Sequence, residues 1–273
     1  MMKTVVITGC TSGIGYTLAR HLLINNYVVY GLGRNKTKLD DVLEGLDLSL
    51  HRNYHPIKAD FTNLSEVKKA TDLILKTLHT GLDVLINNAA IVPKPKKITD
   101  DGFEMQYQVN HLVPVYMTEK LLPMIYKKQG IVITTSSDAH KRAKFIESDI
   151  HALRKYHTFR SYCRTKLYNV MMTNYYIRNY QEVQFYAVHP GRVKTDIGTK
   201  DTSKLYAMFW RWFTRKGLLP KESIPTYMML IEKQPLSGYY YLEKPHSTLA
   251  VSEDSNKQDF LIELALKELA SFL

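Results

Sequence analysis

The sequence predicts a single α/β domain in which a parallel β-sheet is covered by helices on both faces, and three observations carry that prediction. Short apolar, β-branched runs alternate along the chain with stretches of helical periodicity. The hydrophobic fraction of 45% over 273 residues is ample for a core with two buried faces. No proline- or glycine-rich linker, repeat or low-complexity tract divides the chain, so 1–273 reads as one domain. Alternating βα units with apolar strands imply a parallel sheet with both faces covered.

The first strand is Val5-Val6-Ile7, followed at once by TGCTSGIG, residues 8–15, with Gly9, Gly13 and Gly15. Apolar residues at helical spacing follow over 16–23. Strand, glycine turn and helix together place free N–H groups and a helix dipole opposite an anion. The spacing is G-x-x-x-G-x-G and not the G-x-G-x-x-G of the older dinucleotide fingerprint. Further strands are predicted at 28–32, 55–59, 84–86, 131–135 and 184–188, with a late one at 239–242. Helices are predicted over 65–78, with Ser65 as its N-cap, and over 117–128.

Lys and Arg outnumber Asp and Glu by 37 to 26, giving a net charge of +11. A basic balance suits an anionic cofactor, an acidic substrate, nucleic acid or a membrane surface. No Cys/His finger spacing or basic-region heptad accompanies it, so nucleic acid is not an expected partner. Only Cys10 and Cys163 are present, which argues against a disulfide scaffold or a multi-cysteine metal site. No apolar run reaches the length of a membrane span, and Met1-Met2-Lys3 leads directly into the first strand. The expectation is a cytoplasmic protein.

Four landmarks follow the glycine turn: Asn87-Asn88-Ala89-Ala90, Asn110 in QVNHL, Ser136-Ser137, and Tyr162-Cys163-Arg164-Thr165-Lys166. On a helix, Tyr162 and Lys166 at i and i+4 project from one face. A neighbouring ammonium favours a phenolate, so the spacing predicts a lowered Tyr162 pKa. In this order and between these strands, the set resembles the short-chain dehydrogenase/reductase family over nearly the whole chain. The resemblance implies a Rossmann-like, doubly wound sheet and a nicotinamide cofactor. It makes Tyr162 the general acid/base and has Lys166 tune it and hold the nicotinamide ribose. By the same resemblance Ser137 would bind the substrate oxygen, and Asn110 would anchor a water joining Lys166 to solvent.

For the cofactor, the resemblance points to Gly9, Thr11, Ser12, Gly13, Ile14 and Gly15 in the turn and to Asn88 after the fourth strand. Asp60 would meet adenine, although an N-cap or turn role explains it equally well. HPGRVKT, 189–195, matches the family's PGxxxT segment, with Val193 and Thr195 at the carboxamide. The second strand ends in Gly33-Arg34-Asn35, where the resemblance places Arg34 and Asn35 at the cofactor, without the acidic residue of NAD-specific members. Arg34 offers a fork-shaped cation for a 2′-phosphate, so NADP(H) is the expected cofactor.

Two features depart from the simplest family pattern. NNAA replaces the commoner NNAG, which predicts some loss of backbone freedom at Ala90. The stretch between Ser137 and Tyr162 is also long; with VHPGRVKTDI and the chain's ending, it resembles the retinol-dehydrogenase and WW-domain-oxidoreductase branch. Histidines 140, 151, 157 and 189 lack the partners of a zinc site, so no metal is expected.

The expected function is an NADP(H)-dependent oxidoreductase interconverting a carbonyl and an alcohol on an apolar substrate. The alternatives are a catalytically silent dinucleotide-binding module and a sugar-nucleotide epimerase. A substrate-covering segment is expected around 196–220. Within it, 204–216 wound as a helix places Lys204, Arg211 and Arg215 opposite Tyr206, Phe209, Trp210 and Phe213, which suits a lid or a peripheral membrane contact. Many relatives pair through the Tyr162 helix and the one before it, while an insertion before the tyrosine obstructs that face. Monomer and homodimer both remain open.

Overall fold

The structure, a computed structural model, describes residues 2–154, 156–194 and 217–273. Its sheet has eight strands: β1 (Thr4–Thr8), β2 (Val28–Gly33), β3 (Tyr54–Lys58), β4 (Val84–Asn87), β5 (Ile131–Thr135), β6 (Gln184–His189), β7 (Gly238–Tyr241) and β8 (Lys244–Pro245). Their order is β3-β2-β1-β4-β5-β6-β7-β8. All pairs are parallel except β7 with the short β8. The strand order reverses direction between β1 and β4, and ligands of open α/β sheets bind in the crevice such a reversal leaves at the strands' carboxyl ends.

The near-continuous apolar strands are explained by burial on both faces. Val5 and Ile7, Val84 and Ile86, Ile131 and Ile133, and Tyr186 and Val188 enter one core layer. Val6, Leu85, Val132 and Phe185, the intervening residues, enter the other. Each fully buried aliphatic side chain contributes about 1.5–3 kcal/mol relative to exposure. The first layer packs on α1 (Gly13–Ile24) through Leu18 and Leu22, and on a helix at 224–233 through Tyr227 and Leu230.

The opposite layer is built by α2 (Leu64–Thr77), α3 (Val113–Tyr126) and α4 (Thr158–Asn179), with the helix at 255–269 laid across them. The helix at 224–233 is α5 (Ile224–Lys233), and the one at 255–269 is α6 (Ser255–Leu269). Ser65 does not cap α2 as predicted. Asn63 takes that place because its extended backbone lets its side chain accept from Glu66 N–H at 3.0 Å, which leaves Ser65 in the first turn.

Helix α3 begins earlier than the 117–128 prediction, in continuity with a π-helical stretch, Gln108–Leu112. The long segment before Tyr162 forms short 3-10 turns at Asp138–Arg142 and Glu147–Asp149. It is pinned to α4 by the buried Arg164–Asp149 ion pair and by Tyr168 donating to Ile150 C=O at 3.0 Å. Cys10 and Cys163 are both free and buried. No described helix is long and apolar enough to cross a membrane. Thr195 and the 204–216 stretch lie outside the described residues.

Candidate active site

One cavity of about 760 Å³ opens at the carboxyl ends of the parallel strands. Its wall carries Gly9, Thr11, Ser12, Gly13 and Ile14 from the β1–α1 turn, Arg34 after β2, Asp60 after β3, Asn88 after β4, and Val193 after β6. Ser137, Tyr162 and Lys166 line the same space. Residues spread over some 180 positions thus meet in one crevice because each follows a strand or sits on the helix packed beside it.

The turn is held by the sheet itself. Gly9 has φ +74°, and a Cβ there would lie 2.9 Å from the Ala89 Cα, so this position requires glycine on both counts. Asn88 fixes the facing loop, donating from its side chain to Thr8 C=O at 3.0 Å and from its backbone to the Thr8 hydroxyl at 3.0 Å. Ser12 stands at the N-cap of α1 without its side chain capping the helix. The first-turn N–H groups therefore stay directed at the cavity, where an anion would satisfy them. Ala90 has no left-handed φ, so alanine in place of glycine in NNAA carries no conformational penalty.

Three of the predicted cofactor or catalytic residues stand off the cavity wall. Gly15 is buried against the turn, where a Cβ would meet Gly9 C=O at 2.2 Å, and it serves the close strand–helix packing. Asn35 caps the short helix Lys36–Asp40, accepting from Lys38 N–H at 2.9 Å. Asn110 lies fully buried in the π-helical stretch. Its side chain accepts from Ile91 N–H at 2.8 Å and donates to Ile91 C=O at 3.0 Å and to the Thr165 hydroxyl at 3.2 Å. It braces the wall loop against α4. Asp60 lines the cavity and also forms a local turn, accepting from Thr62 N–H and hydroxyl at 2.9 and 2.8 Å.

The two serines divide the work of their loop. Ser136 is buried and donates to Lys166 C=O at 2.8 Å, tying β5 to α4. Ser137 faces the cavity, accepts from Ala139 N–H at 3.2 Å and hydrogen-bonds with Tyr162. Lys166 is buried, with Nζ donating to Thr135 C=O at 2.8 Å and lying 5.7 Å from the Tyr162 ring centroid.

The predicted lowering of the Tyr162 pKa is overturned. Burial pushes the phenol above its usual value, against the opposing effect of the Ser137 hydrogen bond. Burial also brings Lys166 down to about 7. Its ammonium donates to a backbone carbonyl, and burial is the largest influence on both groups.

The histidines considered for a metal are placed apart in function. His140 Nδ1 meets Ser137 C=O at 2.8 Å, His151 meets Glu268 at 2.6 Å, His157 stands at the N-cap of α4, and His189 stacks on Tyr241 with centroids 4.7 Å apart. Burial pushes His189 down to about 4, keeping it neutral. The cavity also has walls that sequence reasoning missed: Phe61, Met105, Val109, Arg142 and Tyr241. The position of Tyr241 at the carboxyl end of a parallel strand was the one available signal.

The family model for short chain dehydrogenase matches residues 3–205, and the chain belongs to that family of alcohol and carbonyl oxidoreductases. It is 30% identical over 265 residues to retinol dehydrogenase 12 of Homo sapiens, covering 93% of this chain and 82% of the relative. Retinol dehydrogenase 13 of Homo sapiens is 30% identical over 254 residues, covering 88% and 76%. Among solved structures, an uncharacterized protein from Mycobacterium paratuberculosis matches with a TM-score of 0.78 at 24% identity, covering 98% of this chain and 93% of that one. The NADPH-bound carbonyl reductase from chicken fatty liver matches with a TM-score of 0.67 at 22% identity, covering 90% and 99%. Both structures share the doubly wound fold.

Proposed function

We propose that this protein is an NADP(H)-dependent oxidoreductase that interconverts a carbonyl and an alcohol, with Tyr162 as general acid/base. The observation that carries the reading is the convergence of Ser137, Tyr162 and Lys166 on the cavity that also receives the α1 N-terminus and Arg34. That cavity fits a dinucleotide: the left-handed Gly9 turn leaves backbone room, the first turn of α1 offers N–H groups, and Arg34 lies where Gly33 brings no carboxylate. The NADPH of the chicken carbonyl reductase supports the choice of cofactor class. When bound, the nicotinamide supplies or accepts the hydride.

The chain's own residues handle the proton. The Ala139 N–H occupies one lone pair of the Ser137 hydroxyl, and its O–H, engaged with Tyr162 in the resting site, would turn to the oxygen of a bound substrate. Burial keeps the Tyr162 phenol protonated at neutral pH, so the resting site is set to give a proton to a carbonyl oxygen. The reverse reaction needs the phenolate and gains from alkaline pH. Lys166 braces β5 against α4 and lies beside the space a nicotinamide ribose would fill. Apolar walls at Ile91, Met105, Val109 and Phe159 support an apolar substrate body.

The test is to follow NADPH absorbance across a panel of aldehydes and ketones, with NADH in parallel. Turnover is expected, with NADPH bound more tightly than NADH by roughly 1.5–3 kcal/mol, the worth of a charge-assisted hydrogen bond. Gly33→Asp with Arg34→Gln should move that preference toward NADH. Equal affinities in the parent protein contradict the role of Arg34, and NADPH binding without any turnover favours a silent binding module.

A further inference from the structure

Lys97 and Arg142 are among the cations of the cavity wall that the proposed reaction does not use. Lys97 lines it beside Met105, whose N–H donates to the Lys97 C=O at 3.0 Å. Arg142 lines it from the end of the 3-10 turn that starts at Ser137. Its charge also opposes the rise that burial imposes on the thiol of Cys163. Neither cation makes a side-chain hydrogen bond or ion pair among the described residues.

The acids of the described wall do not balance them. Asp60 accepts from the Thr62 N–H and hydroxyl and forms no ion pair with Lys97 or Arg142 among the described residues. Asp138 is taken up by Lys141 at 3.5 Å, His246 at 3.3 Å and the Tyr239 hydroxyl at 3.1 Å. Lys97 is half-buried and Arg142 exposed, and a ligand anion reaching either would gain a charge-assisted hydrogen bond.

We infer that the substrate is amphiphilic: an apolar carbonyl compound or alcohol bearing a remote carboxylate or equivalent anion, which Lys97 and Arg142 hold while the reacting oxygen lies at Ser137 and Tyr162. This rests on the reading of the cavity as an oxidoreductase site.

Calorimetric titration of 9-oxodecanoate and of its methyl ester into the NADP⁺-saturated protein tests the inference without requiring turnover. The acid is expected to bind about tenfold more tightly than the ester or better, and Lys97→Gln with Arg142→Gln to bring it to the ester's level at unchanged NADP⁺ affinity. An ester bound as tightly as the acid, or a preference that survives both substitutions, overturns the inference. A fall in NADP⁺ affinity in the double variant also overturns it, because the cations would then serve the cofactor. A selective acid complex that NADPH does not reduce leaves the inference standing and counts against the oxidoreductase reading.

Discussion

Burial acts in opposite senses on the two titratable groups of the site, raising the Tyr162 phenol and lowering Lys166 to about 7. The lysine makes the effect measurable as stability. Its folded-state value lies near 7 and its ordinary value is 10.5, so between those limits the unfolded chain carries the extra proton. The penalty for burying the ammonium is complete below pH 7 and fades as pH rises toward 10.5. Lys166→Met removes the titrating group; the parent should therefore gain stability relative to the variant from pH 7 to pH 10, by at most about 1.4 kcal/mol per pH unit. Chemical denaturation of both proteins across that range checks it, and a pH-independent difference contradicts a depressed Lys166. The i, i+4 spacing made the pairing of Tyr162 with Lys166 legible in the sequence. The direction of the phenol's shift was not, because it depends on burial, which outweighs the opposing Ser137 hydrogen bond.

At the scale of elements, the β1–α1 unit was readable because a glycine turn between an apolar run and a helix has few other uses. Gly9 carries the most specific demand within it. Gly9→Ala is expected to cost about 1–3 kcal/mol from the left-handed backbone alone, with more from the Ala89 backbone 2.9 Å away. It should also weaken NADPH binding by moving the turn; unchanged stability and affinity contradict the account of the turn. Gly15, Asn35 and Asn110 look equally site-like in sequence, yet they serve packing, a helix cap and a loop brace. Residue type and order fix which loop a residue occupies but not which way its side chain turns. Lys97, Arg142 and the turns before Tyr162 escaped sequence reasoning for a related reason. Their placement depends on long-range ties such as Arg164–Asp149, and no local period encodes those.

Across the whole molecule, the alternation of strands and helices made the doubly wound sheet legible, while the role of the last helix was not. Leu261, Ile262, Ala265 and Leu269 bury the apolar face of α6 in the core layer of α3 and α4. Polar ties flank it: Tyr107 donates to Glu268, Lys68 to Phe272 C=O and Lys120 to Leu273 C=O, each at 2.9 Å. This is the face through which the family resemblance implies pairing, and here the chain's own helix occupies it. A monomer is expected for this chain in light scattering after size exclusion, and a dimer would contradict α6 as the cover of that face.

The central claim is that Tyr162 delivers the proton in a site whose cofactor binding does not depend on its hydroxyl. Single-turnover NADPH oxidation with a reducible carbonyl, measured for the parent and Tyr162→Phe alongside the NADPH dissociation constant of each, tests it most directly. The account predicts an NADPH affinity within about twofold and a rate lower by roughly 10²–10⁴-fold, the worth of a lost general acid. A Tyr162→Phe protein that turns over at the parental rate, or that loses rate only through loss of NADPH binding, would contradict it.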